Sequence, residues 1–195
     1  MSSIHSRTEA FTLIELLIVV AIISILATIA VPNFLEAQTR AKVSRTQNDL
    51  RSVATALEAY RVDNNSYPRT ELMVALSRRL MILTAPISYM TQLPTDPFFV
   101  KSQAGLAGFE PNYVYASGNI YFGSTVLFNQ PSYLGTIYSL AGRGPDGDIN
   151  FGGYCLAHPA AIRSGAKFLG QYDPTNGTIS AGDIVRLSPG TLGAL

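Results

Sequence analysis

Carboxylates carry most of the chemistry this chain could do. Asp146 and Asp148 flank Gly147 in the stretch Arg143-Gly144-Pro145-Asp146-Gly147-Asp148. Two carboxylates two residues apart on a glycine-rich loop can turn into one pocket. Calcium suits such a place, because it takes about six to eight oxygen ligands from carboxylates and carbonyls on irregular loops. Asp183 supplies a third carboxylate if the later chain folds back. The plainer reading is a β-turn whose aspartates accept hydrogen bonds from their own backbone. Glu15 is the remaining carboxylate of note, the only charge in the apolar block Phe11–Val31. An ionisable side chain in hydrocarbon costs on the order of 2–3 kcal/mol near mid-membrane and less near an end, so it persists where it has a partner.

Other chemistry is poorly provided for. Cys155 and His158 could form a thiol pair, but their spacing is commonplace and a buried cysteine is the simpler reading. No serine sits in a nucleophile-elbow pattern, and no phosphate-binding loop is present. Two histidines and one cysteine leave little for a His/Cys metal centre. The lone cysteine excludes an intrachain disulfide. With 14 basic and 13 acidic residues the net charge is +1, which gives no electrostatic reason to expect a polyanion, and no nucleic-acid partner is expected. A membrane-anchored extracytoplasmic enzyme is the remote alternative.

The elements that must hold these groups are legible in outline. Residues 1–10 form a short polar leader with Arg7 as its fixed positive side chain. The block Phe11–Val31 matches a bilayer core of ~30 Å as a helix and exceeds the core of an ordinary signal peptide. Pro32 closes it, either bending the helix or marking the membrane interface. Residues 33–62 lack further Gly or Pro and place Val43, Leu50, Val53, Ala54, Leu57 and Tyr60 on one stripe, the pattern of an amphipathic helix. Glu36 four residues before Arg40 supports it. Asp63-Asn64-Asn65-Ser66-Tyr67-Pro68 ends it.

Residues 63–195 read as a globular head. A short helix is expected over 72–83. A hairpin is expected between Tyr113–Ala116 and Ile120–Phe122 around Ser117-Gly118-Asn119. Further strands are expected at Thr136–Leu140 and Ile184–Leu187, and a turn over Asp173–Thr178. The fold class is α+β: a long N-terminal helix, apolar then amphipathic, packed on a small antiparallel sheet with long loops.

One further reading comes from resemblance. Ala10-Phe11-Thr12-Leu13-Ile14-Glu15-Leu16-Leu17 followed by the apolar run resembles the signal of type IV prepilins and pseudopilins. The resemblance implies a pilin fold and cleavage between Ala10 and Phe11 by a prepilin peptidase that also N-methylates Phe11. It implies that Glu15 pairs with the N-terminal amine of an adjacent subunit, and that Pro32 lets the helix bend or locally melt in a filament. Ala10 departs from the family's usual glycine, which implies slower cleavage. The segments Leu57–Pro68, Leu93–Phe98 and Tyr138–Ile149 resemble the major pseudopilin of type II secretion. In that family the last loop binds calcium, which nominates Asp146, Asp148 and the Leu140 carbonyl, with Asp183 alongside.

The function so implied is a structural subunit of a type II secretion pseudopilus. A type IV pilus subunit for adhesion, motility or DNA uptake is the alternative. The implied partners are copies of itself, the peptidase, an inner-membrane assembly platform with its ATPase, and minor pilins. The implied location is a single pass in the inner membrane with the head outside the cytoplasm, then a periplasmic or extracellular filament.

Overall fold

The computed structural model describes residues 11–71, 76–99, 111–117, 120–122, 125–128, 138–148, 172–173, 175, 180 and 182–188. A single helix, α1, runs Leu13–Asn64 without a break. It ends two residues beyond the expected Val62. Asn65 takes φ 53°, the left-handed conformation that closes a helix and that asparagine tolerates. Asn64 Nδ2 donates to the Tyr60 carbonyl at 2.9 Å, so one of the last free carbonyls is satisfied.

The chain divides into two compact units, Met1–Gln38 and Thr39–Leu195. In the first, the large apolar side chains from Phe11 to Leu35 are all exposed. The helix here is long and apolar enough to cross a membrane.

In the second unit α1 buries one face: Val43, Thr46, Leu50, Val53, Ala54, Ala56 and Leu57. Five of these lie on the expected stripe, and Tyr60 joins it partly buried. The core opposite comprises Leu80, Leu83, Phe98, Tyr113, Tyr115, Tyr138, Leu140 and Ile184. Each fully buried leucine contributes about 1.5–3 kcal/mol relative to exposure. Tyrosines bring hydroxyls into this core, and those of Tyr113, Tyr115 and Tyr67 find acceptors, as buried polar groups must. Tyr113 donates to Asp49 Oδ2 at 2.8 Å, Tyr115 to the Pro68 carbonyl at 2.8 Å, and Tyr67 to Glu58 Oε1 at 2.8 Å. Burial pushes all three phenols upward.

Two three-stranded sheets complete the described head. The strands are β1 (Thr70–Glu71), β2 (Val114–Ser117), β3 (Ile120–Phe122), β4 (Thr125–Phe128), β5 (Tyr138–Gly142) and β6 (Ile184–Leu187). One sheet is fully antiparallel, in the order β2-β5-β6, with Tyr115 opposite Leu140 and Leu140 opposite Arg186. The other is β1-β3-β4, where β1 lies parallel to β3. The strands expected at Thr136–Leu140 and Ile184–Leu187 are thus present as β5 and β6, with β5 reaching Gly142 and 136–137 outside the described residues.

Two expectations are corrected. β2 and β3 do not form a hairpin: β2 pairs with β5, and β3 pairs with β4 and β1. Every residue of β2 and of β5 is buried. Strands buried on both faces read as continuous apolar runs, and such runs do not reveal their partner. The helix expected over 72–83 is a 3-10 helix at Leu76–Leu83, with 72–75 outside the described residues. Its buried leucines, Leu80 and Leu83, are three apart, the spacing that a 3-10 helix stacks on one side.

Two loops of the head are joined by a buried ion pair. Asp96 and Arg143 are 3% and 1% exposed, with Arg143 Nη1 at 3.5 Å from Asp96 Oδ2. The same oxygen accepts the Arg143 backbone N–H at 2.8 Å, and Oδ1 accepts the Phe98 N–H at 2.9 Å. The guanidinium also lies 5.0 Å from the centre of the Phe99 ring. Burial pushes the Asp96 carboxyl above its ordinary value, and the backbone N–H groups and Arg143 only offset this. The folded chain therefore holds that proton more tightly than the unfolded chain. The contribution of this group is full in acid and declines as pH rises through the carboxylate range. Removing one partner strands the other charge. Asp96→Ala is expected to cost about 3–5 kcal/mol and Asp96→Asn less, because the amide keeps an acceptor for one N–H. Denaturant unfolding of the full chain in detergent checks both.

Candidate functional site at the start of the helix

The start of α1 is built by two side chains. Thr12 is the N-cap: its carbonyl accepts the Leu16 N–H at 3.3 Å, the first bond of the helix. Its hydroxyl accepts the Glu15 N–H at 3.3 Å and donates to Glu15 Oε2 at 2.6 Å. The same Oε2 accepts the Thr12 backbone N–H at 2.9 Å. This is a capping box, a threonine and a glutamate three residues apart that each satisfy a free backbone donor of the other. Glu15 is thus partnered from within its own chain, by Thr12. Both contacts use Oε2, and among the described residues nothing donates to Oε1. Phe11, just before the cap, is 73% exposed. Ala10 and the rest of the leader lie outside the described residues.

Further along, a stripe of polar substitutions follows the i, i+4 spacing. Ser24 Oγ donates to the Val20 carbonyl at 2.7 Å. Thr28 Oγ1 donates to the Ser24 carbonyl at 2.7 Å. Pro32, the next in line, has no N–H, so the Thr28 carbonyl loses its helical donor. The helix nevertheless continues through Pro32. Back-bonding hydroxyls of this kind loosen and bend helices slightly, so the three positions lie along one softened line.

The aspartates of the second candidate site fall elsewhere, beyond the end of β5. Gly144 to Gly147 form a turn, closed by the Gly147 N–H on the Gly144 carbonyl at 3.0 Å. Asp146 Oδ1 accepts the Asp148 N–H at 3.3 Å, and Oδ2 accepts the Gly182 N–H at 3.2 Å. Asp183 is fully buried. Asp146 and the Asp183 segment do come together, but among the described residues Asp146, Asp148 and Asp183 do not assemble into a group able to hold a metal. The Leu140 carbonyl is also committed. The Tyr138 carbonyl accepts from Ser188 on the β6 side, so Leu140, two residues on in an antiparallel strand, faces its partner Arg186 there. Among the described residues these four positions do not form one set of oxygen ligands for calcium. Thr175 shows the second expected turn in part: its N–H donates to Asp173 Oδ1 at 2.8 Å. Cys155 and His158 lie outside the described residues.

Comparison with known proteins bears on the helix and on the head. The profile of the prokaryotic N-terminal methylation motif matches residues 5–31. That of protein G of the type II secretion system matches residues 33–119. The type II secretion system core protein G of Escherichia coli is 31% identical over 150 residues, covering 73% of this chain and 86% of that protein. The chain belongs to the core protein G family. The Pectobacterium carotovorum core protein G is 34% identical over 98 residues, and the match spans 47% of this chain and only 63% of that protein. A type IV major pilin of Myxococcus xanthus is 45% identical over 67 residues, 34% of this chain and 30% of the pilin. No solved structure matches.

Membership in the core protein G family bears out the resemblance, as the helix and sheets bear out the α+β arrangement. It also shows what residue-by-residue reading passed over. Thr12 was legible as half of a capping box, since threonine followed three residues later by glutamate before an apolar run is that signature. Asp96 and Arg143 each lie in a segment that resembles the pseudopilin, but no local signal says that the two segments meet. Thr12→Ala is expected to fray the first turn of α1 at a cost of about 1 kcal/mol. Faster amide exchange over Leu13–Leu16 in micelles, with exchange beyond Val43 unchanged, checks this.

Proposed function

We propose that the chain is a structural subunit of a type II secretion pseudopilus, made as a precursor and cut between Ala10 and Phe11. The new amine is N-methylated at Phe11, and the subunit polymerises through the first half of α1. The arrangement of Glu15 carries the reading. One carboxylate oxygen closes the subunit's own helix cap, and the other is left for a cation. The cut before Phe11 creates such a cation one residue from the cap. An α-amino group is cationic at neutral pH, and methylation keeps it so. Glu15 can therefore hold its helix start and meet the amine of a neighbouring copy at once.

The remaining assignments follow from the family. The partners are other copies, a prepilin peptidase and methylase, an inner-membrane assembly platform with its ATPase, and minor pilins. The subunit waits as a single pass in the inner membrane, head outside the cytoplasm, before entering the filament. No catalytic role is assigned. A second reading, a type IV pilus subunit, is favoured by the Myxococcus pilin relative. That likeness covers a third of the chain, whereas the core protein G match extends over nearly three quarters.

Co-expression with a prepilin peptidase, followed by intact and peptide mass spectrometry, tests the processing. The expected product begins at methylated Phe11. A chain that keeps residues 1–10, or that is cut after Val31, overturns the proposal. The assembly role of Glu15 has a separate test. Glutamine retains the capping geometry but not the charge. Glu15→Gln is expected to keep processing and slow exchange over Leu13–Leu16 while filaments seen by electron microscopy fall at least about tenfold, the loss of about 1.4 kcal/mol or more per contact. Filaments at the wild-type level would place the role of Glu15 in capping alone.

A further inference from the structure

The loop after β5 stands where a metal site was expected, and its geometry argues for a different closure. Three contacts bind Gly144–Asp148 to the segment that leads into β6. Asp146 Oδ2 accepts the Gly182 N–H at 3.2 Å. Gly144 packs so closely on Gly182 that a Cβ on Gly144 would stand 1.8 Å from the Gly182 carbonyl oxygen. Beside them Gly142 pairs with Ile184 as the last rung of the β5–β6 ladder.

Two glycines bend the chain to make this possible. Gly147 has φ 76° and Gly182 φ 122°, both in the region that L side chains rarely adopt. Asp146 meanwhile ties the loop internally through the Asp148 N–H. On the other side, the Asp183 carbonyl accepts the Tyr172 N–H at 2.8 Å, and Arg143 at the loop's start is held by Asp96. The Asp146 carboxylate thus bridges two backbone segments 36 residues apart, which is the cross-linking task a loop cation performs.

We infer that this loop is a metal-free latch. Asp146 and the Gly144–Gly182 contact join the end of β5 to the start of β6, and the head folds to the same stability with or without calcium. A carboxylate that accepts two backbone N–H groups makes charge-assisted bonds, stronger than neutral ones. The Leu140 carbonyl, facing Arg186 in the ladder, has no part in it.

Thermal unfolding of the full-length chain in detergent tests the inference, with excess EDTA in one arm and millimolar calcium in the other. Wild type is expected to melt at the same temperature in both, and metal analysis of the purified chain to find no stoichiometric calcium. Asp146→Ala is expected to lower Tm in EDTA by about 4 °C, and Asp146→Asn by less, because the amide keeps one acceptor. Gly144→Ala is expected to lower it irrespective of calcium. A wild-type Tm raised by calcium, with that response lost in Asp146→Asn, overturns the inference. So does an Asp146→Ala variant that melts with wild type in EDTA. If the alanine variant fails to fold, the wild-type comparison and Asp146→Asn still decide.

Discussion

A polar group taken out of water must find its partner inside the structure, and α1 meets that requirement twice, in two different solvents. At its start the free N–H groups and an ionisable side chain stand at the edge of a segment suited to hydrocarbon. There, water cannot be relied on to satisfy a backbone donor, and an unmet one costs several kcal/mol. Thr12 and Glu15 answer this locally, each supplying what the other lacks. At the far end the same helix packs on the head, where its Tyr60 carbonyl accepts from the Asn64 amide and its Glu58 and Asp49 accept from tyrosine hydroxyls. The apolar surface that lies between these ends sets the length of the element. The paired polar groups set where it begins and stops.

This changes how assembly energetics should be weighed. The exposed apolar side chains from Phe11 to Leu35 would gain a great deal by leaving water, at ~25 cal/mol per Å2. A subunit held in a bilayer has already made that gain. Passing from lipid to a bundle of neighbours exchanges one apolar surrounding for another, so the hydrophobic term nearly cancels. What remains is packing and the polar contacts. In a subunit that polymerises as proposed, a carboxylate near an end of the apolar segment is then among the few groups whose free energy would differ between lipid and filament. In such a subunit the softened line through Ser24, Thr28 and Pro32 would lower the cost of fitting the helix to its neighbours.

Some of this was open to inspection in the sequence, for physical reasons. The apolar block and the stripe from Val43 to Tyr60 were readable because a helix of fixed period leaves a fixed trace. The helix end was readable to within two residues because Asn65 suits the left-handed cap. Ile184–Leu187 was readable as an apolar run. What could not be read was pairing. β2 is apolar at most positions and buried throughout, so nothing in Val114–Ser117 distinguishes β5 from β3 as its neighbour. The Ser117-Gly118-Asn119 signal reports that the chain turns and not which sheet it turns into. Asp146 and Asp148 show a related limit. Their spacing says that two carboxylates share a loop, but whether they face a cation or backbone N–H groups depends on Gly182, which is distant in sequence.

The same logic explains why the head's buried charges sit where they do. Asp96 and Arg143 lie on two segments 47 residues apart in sequence, each beside residues of the core. A carboxylate that receives two backbone N–H groups and a guanidinium fixes both segments at one point. The desolvation that raises its proton affinity is the cost of that fixation, and well-packed apolar side chains of similar volume often replace such a pair without loss of stability. Apolar substitutes would not specify direction. A hydrogen-bonded pair fixes how the two backbones meet, and it holds Arg143 next to Gly144, whose backbone packs on Gly182. The ion pair is thus better understood as setting the register of the loops than as adding to the stability of the fold.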